Sequence, residues 1–256
     1  MAPSIGAGEF YKFTDAERKR VLEIVMDEAK SSVQVWPGVS HLGTAQSVEL
    51  AKYAADVGAD GIIAMPALYG KEAALAIPEH YKTILEEVDI PLMIQDSEDF
   101  NGIHICPTVY NRLAREFDSL VSVKVEGGRS LEKIKDIQEL LGDRLAIIGG
   151  FAALMLLEEF DLGTNGSIPG CCLTDLLVDV YTGLKERRGT VKANFSRYKK
   201  WVYFGILHMS SFAEFEKETL RLRGVIKSSH TRSPHVPLGE QDKLELRKLL
   251  AELALV

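Results

Sequence analysis

The chain has 256 residues, of which 46% are hydrophobic, and a formal net charge of −7. This length fits one α/β domain, and the negative balance argues against nucleic acid or an anionic membrane surface as the main partner. No apolar run approaches the ~20 residues of a membrane-spanning helix. The first residues lack the layout of a secretory signal, and three cysteines, two of them adjacent, favour a reducing, cytoplasmic compartment.

Seven short apolar runs rich in Val and Ile predict parallel strands that alternate with helices. They begin near Ser4, Val33, Gly61, Pro91, Val121, Ala146 and Gly166, at intervals of 20 to 30 residues. This spacing is typical of βα units on a parallel sheet. Periodicity alone leaves two architectures open, an open doubly wound sheet and an eight-stranded barrel that lacks one strand.

Helix signals fill most of the intervals between these runs. Thr14 and Glu17 form a capping box at the start of one predicted helix, and Gly58 and Gly142 mark the ends of two others. Beyond residue 170 the strand pattern stops, and residues 174–222 predict two or three helices, with a last one over 240–252. We expect a β/α region over 1–173 and a helical region over 174–256, packed together as one domain.

Lys124 is the most unusual polar residue of the predicted strands. It lies in LVSVKVEGG, where strand alternation places it on one face together with Ser122 and Glu126. An unpaired ammonium is costly to bury, and burial favours the neutral amine, which is nucleophilic toward carbonyls. The residues leave two interpretations open, a Schiff-base lysine and a structural ion pair with Glu126.

Other predicted strands also end in polar or glycine-rich groups. Gly6-Ala7-Gly8-Glu9 follows the first strand, Gln95-Asp96 the fourth and Gly149-Gly150 the sixth. In an α/β barrel these carboxyl ends form the active-site face, and glycines there let backbone amides approach a carboxylate. The alternative for any one glycine pair is plain turn chemistry. The six histidines show no metal-ligand spacing, so no metal is expected.

Taken in order, six segments resemble the dihydrodipicolinate synthase / N-acetylneuraminate lyase family of class I aldolases and dehydratases. They are GAGEFYKFTDAER, TAQSVELAKYAADVGADGIIAMP, VDIPLMIQD, LVSVKVEGG, GTNGSIPG and VPLGEQDKLELRKLL. The resemblance covers nearly the whole chain. It implies a TIM (β/α)8-type barrel with extra C-terminal helices, a homo-oligomer (tetramer or dimer), and a small 2-keto acid bound as a lysine Schiff base without any other cofactor.

The resemblance also assigns residues. Lys124 takes the place of the Schiff-base lysine, and the substrate-binding positions are Ala7, Gly8, Glu9, Gly149, Gly150 and Ile168. Two departures stand out in the matched segments. The family's proton-relaying tyrosine falls at Gln95, which cannot act as a general acid near neutral pH, and its threonine falls at Ala7. The chain also begins at the family's second strand, so the first βα unit has no counterpart.

These departures favour the branch that resembles L-2-keto-3-deoxyarabonate dehydratase, where Gln-Asp ends one strand and Lys-x-Glu the next. We therefore expect a lyase that dehydrates a 2-keto-3-deoxy sugar acid, with Lys124, Gln95 and Glu126 as catalytic residues. Glu126, or a water held by Gln95, would perform the proton transfers of the missing tyrosine. Two alternatives stay open: an aldolase or dihydrodipicolinate synthase-type reaction involving pyruvate, and a degenerate member without activity.

Overall fold

A computed structural model describes residues 1–29, 32–66 and 73–256, without the side chains of residues 73 and 74. The chain forms two compact units. The first comprises Met1–Phe151 and Glu158–Ile168, and the second comprises Ala152–Leu157 and Pro169–Val256. The change near residue 169 lies close to the boundary predicted at 173 and 174. The packing of both regions into one domain stays a prediction.

Strands and helices alternate through the first part of the chain. The strands are β1 Ile62–Ala64, β2 Leu92–Ser97, β3 Leu120–Glu126, β4 Ala146–Gly149 and β5 Gly166–Ser167. The helices are α1 Asp15–Ala29, α2 Thr44–Asp56, α3 Ala73–Glu87, α4 Glu98–Asn101, α5 Pro107–Glu116, α6 Ser130–Leu141 and α7 Leu156–Asp161. The strands pair in parallel and in chain order. This is the arrangement expected of consecutive βα units.

The two faces of the sheet have different surroundings. Ile94 of β2, Val123 of β3 and Ile147 of β4 belong to the large core that the sheet shares with its helices. Alternate strand residues point the other way and form a smaller apolar cluster, the inner cluster, which consists of Ile5, Ile63 and Met93 with Ala2, Trp36, Ile148 and Ile168. Since side chains alternate along a strand, Gln95 and Lys124 lie on this inner face.

Two of the seven predicted strands, those near Ser4 and Val33, are not strands in the structure. The two segments nevertheless pair with each other, and the second of them runs beside β1. The amides of Trp36 and Gly38 donate to the carbonyls of Met1 and Pro3, both at 2.8 Å, and Gly38 forms an isolated parallel bridge with Ile63. The ladder stays irregular because proline has no N–H to donate, and Pro3 and Pro37 interrupt both segments.

The predicted helix signals are confirmed. The Thr14 amide donates to Glu17 Oε2 at 3.0 Å, and the Glu17 amide donates back to Thr14 Oγ1 at 3.3 Å, which is a capping box. Gly58 and Gly142 both have positive φ at helix ends, as their lack of a Cβ allows.

The second unit is helical. Its helices are α8 Thr174–Lys185, α9 Val191–Leu207, α10 Phe212–Leu222 and α11 Glu240–Glu252. Its core contains a row of aromatic side chains in which Trp201 packs between Tyr198 and Phe215. The ring centroid of Trp201 lies 5.8 Å from that of Tyr198 and 4.6 Å from that of Phe215. In the described part of the chain, no helix is both long enough and apolar enough to cross a membrane.

Candidate active site

Three polar side chains meet on the inner face of the sheet, at the carboxyl ends of β2 and β3. The parallel register sets Gln95 opposite Lys124 and Ser97 opposite Glu126. Lys124 is only 2% exposed, although it is a lysine. The alternation predicted from the sequence is therefore confirmed: Lys124 and Glu126 share the inner face, while Val123 and Val125 enter the core beneath the helices.

Glu126 joins the three residues into one hydrogen-bonded group. Its Oε2 is in direct contact with Lys124 Nζ and accepts from Gln95 Nε2 at 2.8 Å. Its Oε1 accepts from the Phe151 amide at 2.8 Å. The ion pair that the sequence left as an alternative role for Lys124 thus exists in the resting structure.

The charge states in this group follow from burial and contacts. Burial alone would raise the pKa of Glu126, but the Lys124 ammonium and the hydrogen bonds from Lys124, Phe151 and Gln95 hold that pKa below its usual value. Glu126 is therefore a carboxylate at neutral pH. Gln95 Oε1 is buried and has no hydrogen-bond partner among the described residues. A buried acceptor without a partner is costly, so this oxygen is available to a ligand or a water.

Gly149 and Gly150, at the end of β4, make room for two carboxyl groups. A Cβ on Gly150 would lie 2.4 Å from Glu126 Oε1, and one on Gly149 would lie 1.8 Å from Glu159 Oε2. Both distances are impossible for real atoms, so any larger residue would displace a glutamate. The sequence predicted that these glycines bind substrate, and that role stays a prediction. The structure adds that they accommodate Glu126 and Glu159.

The predicted N-terminal loop lies beside the same group. A Cβ on Gly6 would be 3.5 Å from Gln95 Nε2, so the loop passes directly over that side chain. Among the described residues, the amides of Ala7 and Gly8 donate to no acceptor, and both residues are exposed. Glu9 is buried, and its carboxylate is 2.5 Å from Lys12 Nζ. The loop therefore offers two unused amides directly after Gly6, the residue that lies next to Gln95.

Ile168 directly follows β5. It packs against the inner cluster, and its amide donates to the Gly149 carbonyl at 3.0 Å. Its predicted substrate contact stays a prediction.

Asp96, the neighbour of Gln95, points to the helix side of the sheet. Its Oδ2 is 2.7 Å from Lys133 Nζ of α6 and accepts from the Tyr110 hydroxyl of α5. Burial raises the pKa of Asp96, against the opposing effects of Lys133 and Tyr110. Asp96 therefore fastens two helices to β2 and does not take part in the inner group.

Glu159 is the residue near the site that the sequence did not suggest. It is 1% exposed, and burial together with the Glu126 charge raises its pKa to about 7, although a hydrogen bond from the Gly150 amide opposes this. One signal was present: Glu159 stands three residues after Leu156, a spacing that puts it on an apolar helix face. In the part of the chain that the structure describes, no three His, Cys, Asp or Glu side chains are grouped as metal ligands.

Comparisons with known proteins identify similar sequences and similar folds. The model of the dihydrodipicolinate synthetase family matches residues 4–253. A 4-hydroxy-tetrahydrodipicolinate synthase from Syntrophus aciditrophicus is 26% identical over 260 residues, covering 100% of this chain and 87% of that protein. The crystal structure of dihydrodipicolinate synthase from Rhodopseudomonas palustris is similar with a TM-score of 0.86 at 28% identity, covering 97% of this chain and 84% of that one. The synthase structure from Aquifex aeolicus shares the fold, with a TM-score of 0.89 at 22% identity over 99% of this chain and 86% of that one. The expected (β/α)-barrel fold is confirmed.

Proposed function

The chain belongs to the dihydrodipicolinate synthetase family, and from that premise we propose that it is a lyase that binds a small 2-keto acid as a Schiff base on Lys124. The observation that carries this proposal is the buried Lys124 on the inner sheet face, in contact with Glu126 and directly opposite Gln95 of the neighbouring strand. Enzymes of this family use a covalent lysine Schiff base and need no metal or organic cofactor. The iminium itself is the electron sink.

Schiff-base formation needs the neutral amine. Since Lys124 Nζ contacts Glu126 Oε2, the ammonium can give its proton to Glu126. The free amine then attacks the C2 carbonyl carbon, a C–N bond forms, and the carbonyl oxygen takes up protons and leaves as water. The product is an iminium that carries one positive charge beside the Glu126 carboxylate, so the original charge balance is restored.

We propose dehydration as the next step. The iminium acidifies the C3 protons of a 2-keto-3-deoxy sugar acid, and loss of one of them to Glu126 gives an enamine. The enamine electrons then expel the C4 hydroxyl, which takes a proton and leaves as water. In a pentonate, the C3=C4 iminium that remains loses a proton from C5 and one from the C5 hydroxyl and gains one at C3 and one at C4, so that the C5 carbinol becomes an aldehyde. Hydrolysis of the imine then frees Lys124 and a 2-keto acid semialdehyde. Gln95 has no ionisable proton, so its part is to orient the substrate or a water through Oε1.

The substrate carboxylate has a natural place at the N-terminal loop. The Ala7 and Gly8 amides have no acceptor within the described residues, and they follow Gly6, which lies beside Gln95. Two adjacent amides of this kind form a concavity that binds anions without a charged side chain. The Glu9 carboxylate, paired with Lys12, contributes to the shape of the loop.

A second candidate reaction is condensation or cleavage that uses or releases pyruvate. The observation that favours it is that the similar proteins from Syntrophus aciditrophicus and Methanopyrus kandleri are both named 4-hydroxy-tetrahydrodipicolinate synthase. The observation against it is that Gln95 stands where the resemblance places a tyrosine. A third outcome is a member of the family that binds keto acids without turnover.

Product analysis separates the three. The protein is incubated with a panel of 2-keto-3-deoxy pentonates and hexonates, and separately with pyruvate and aspartate semialdehyde. Dehydration gives a product with all the substrate carbons and one water fewer, whereas aldol cleavage gives pyruvate and an aldehyde. Pyruvate release, or turnover only in the condensation assay, would overturn the dehydration proposal. A cytoplasmic location and a homo-oligomeric state, tetramer or dimer, stay predictions.

A further inference from the structure

Glu159 lies on the opposite face of β4 from Glu126. Successive strand positions point to opposite faces, and the missing Cβ atoms of Gly149 and Gly150 point toward Glu159 and Glu126 respectively. Glu159 is therefore on the helix side of the strand, pressed against backbone that has no side chain. Its Oε2 is buried without a hydrogen-bond partner within the described ranges. Burial of a carboxyl oxygen without a hydrogen-bond partner costs folding free energy, and a role for Glu159 in the site would account for that cost.

Consecutive amides connect the two glutamates. The Gly150 amide donates to Glu159, and the next amide, that of Phe151, donates to Glu126 Oε1 at 2.8 Å. Phe151 has φ of 49°, in the left-handed region that residues with a side chain rarely adopt. Such a conformation persists only where its surroundings hold it. Glu159 and Glu126 contact this turn from opposite faces of the strand.

We propose that Glu159 is a positioning residue for the Lys124 site: its carboxyl fixes the Gly150–Phe151 turn from behind, and that turn holds Glu126 against Lys124. The inference rests on the proposed function of Lys124 and extends it to a residue that touches no substrate. Glu159 has no direct hydrogen bond to Lys124 or Gln95 among the described residues, so it acts through the backbone of β4 and through its charge.

The charge of Glu159 gives the site a second property. The charged groups that face it are Glu126 and Lys124 of β3 and Glu158 of its own helix. While Glu159 is protonated, the Lys124 and Glu126 charges balance. Its pKa of about 7 means that it ionises as the pH rises past neutrality, which adds one negative charge near a site for an anionic keto acid. We expect KM for the keto acid to rise above pH 7 in the wild type.

The variants Glu159→Gln and Glu159→Leu separate these two roles. Glutamine keeps an acceptor for the Gly150 amide but does not ionise, whereas leucine has a similar volume and no acceptor. The probe is pyruvate with borohydride, which reports Schiff-base formation on Lys124, and kcat and KM are measured from pH 5.5 to 8.5 where turnover exists. Glu158→Gln and Glu158→Leu on the same helix are the matched controls.

We expect Glu159→Leu to slow trapping by about tenfold or more, since small displacements of reacting groups cost this much. Glu159→Gln recovers most of that rate and shows no rise of KM above pH 7. Both Glu158 variants trap at about the wild-type rate and keep an alkaline rise of KM, since Glu159 still ionises in them. The inference is overturned if folded Glu159→Leu traps at the wild-type rate, or if Glu159→Gln keeps the alkaline rise. If Glu159→Leu does not fold, the pH profile of Glu159→Gln decides.

Hydrogen–deuterium exchange distinguishes failure of this inference from failure of the proposed function. Glu159→Leu is expected to speed exchange of the Gly150 and Phe151 amides about tenfold, while Glu159→Gln leaves Gly150 protected. If the wild type forms no adduct but the exchange changes as expected, the Schiff-base function fails and the positioning role stands. Unchanged exchange in Glu159→Leu overturns the positioning role whatever the trapping result.

Discussion

Glu159 makes the folding stability depend on pH, and Glu159→Gln removes that dependence. The carboxyl has a pKa of 4.5 in its ordinary state and about 7 when folded. At 1.36 kcal/mol per pH unit, this difference amounts to about 3 kcal/mol. The folded state holds the proton more tightly, so the contribution is complete below pH 4.5 and is lost as the pH rises through 7. The wild type therefore loses stability over this range, and Glu159→Gln does not.

The assay is urea unfolding of both proteins at pH 4, 5, 6, 7 and 8. The difference in the free energy of unfolding should shift in favour of Glu159→Gln by about 3 kcal/mol between pH 4 and pH 8. Glu158→Gln, on the same helix, is the control that shows how removal of a nearby charge alone changes the free energy of unfolding. A gap between wild type and Glu159→Gln that stays constant across this range would refute the view that Glu159 is buried as a neutral acid.

Two further predictions concern packing around the site. Gly149→Ala puts a Cβ 1.8 Å from Glu159 Oε2 and should destabilise the fold by about 1–3 kcal/mol. Adding Glu159→Ala should restore much of the lost stability. Gly166→Ala is the control, because its added Cβ would have its nearest neighbour at 3.9 Å. Equal stability of Gly149→Ala and Gly166→Ala in thermal unfolding would contradict the close contact between Gly149 and Glu159. Asp96→Asn leaves Lys133 without its carboxylate and should cost about 3 kcal/mol in urea unfolding, with partial recovery in Asp96→Asn/Lys133→Met. A loss for Asp96→Asn under about 0.5 kcal/mol would mean that the ion pair is not what joins α6 to β2.

Local sequence patterns predicted the parts of the fold that local physics controls. The Thr14–Glu17 capping box needs four consecutive residues, and the last helix, predicted over 240–252, follows from apolar periodicity alone. The placement of Lys124 and Glu126 on one face follows from strand alternation. The segments near Ser4 and Val33 have the apolar pattern of strands, but the prediction of strands there was wrong. Pro3 and Pro37 cannot donate a backbone hydrogen bond, so they interrupt the ladder.

Contacts between residues far apart in the chain could not be predicted from the sequence. Glu158 and Glu159 are adjacent in the first turn of α7, where the spacing from Leu156 favours the apolar face for Glu159, and the contact with Gly149 of β4 shows that Glu159 is buried. The same holds for Asp96, whose partners Tyr110 and Lys133 come from two different helices. Charge, burial and the partners of a carboxyl depend on elements distant in the chain.

The most direct test of Schiff-base formation is borohydride trapping on Lys124. The protein is reduced in the presence of pyruvate or a 2-keto-3-deoxy sugar acid, and the adduct is located by peptide mass spectrometry. A Schiff base on Lys124 predicts one stoichiometric adduct on Lys124, none on the buried Lys133 on the helix side of the sheet, and no adduct in Lys124→Ala. A wild-type protein that gains no mass, or an adduct that persists in Lys124→Ala, would contradict it.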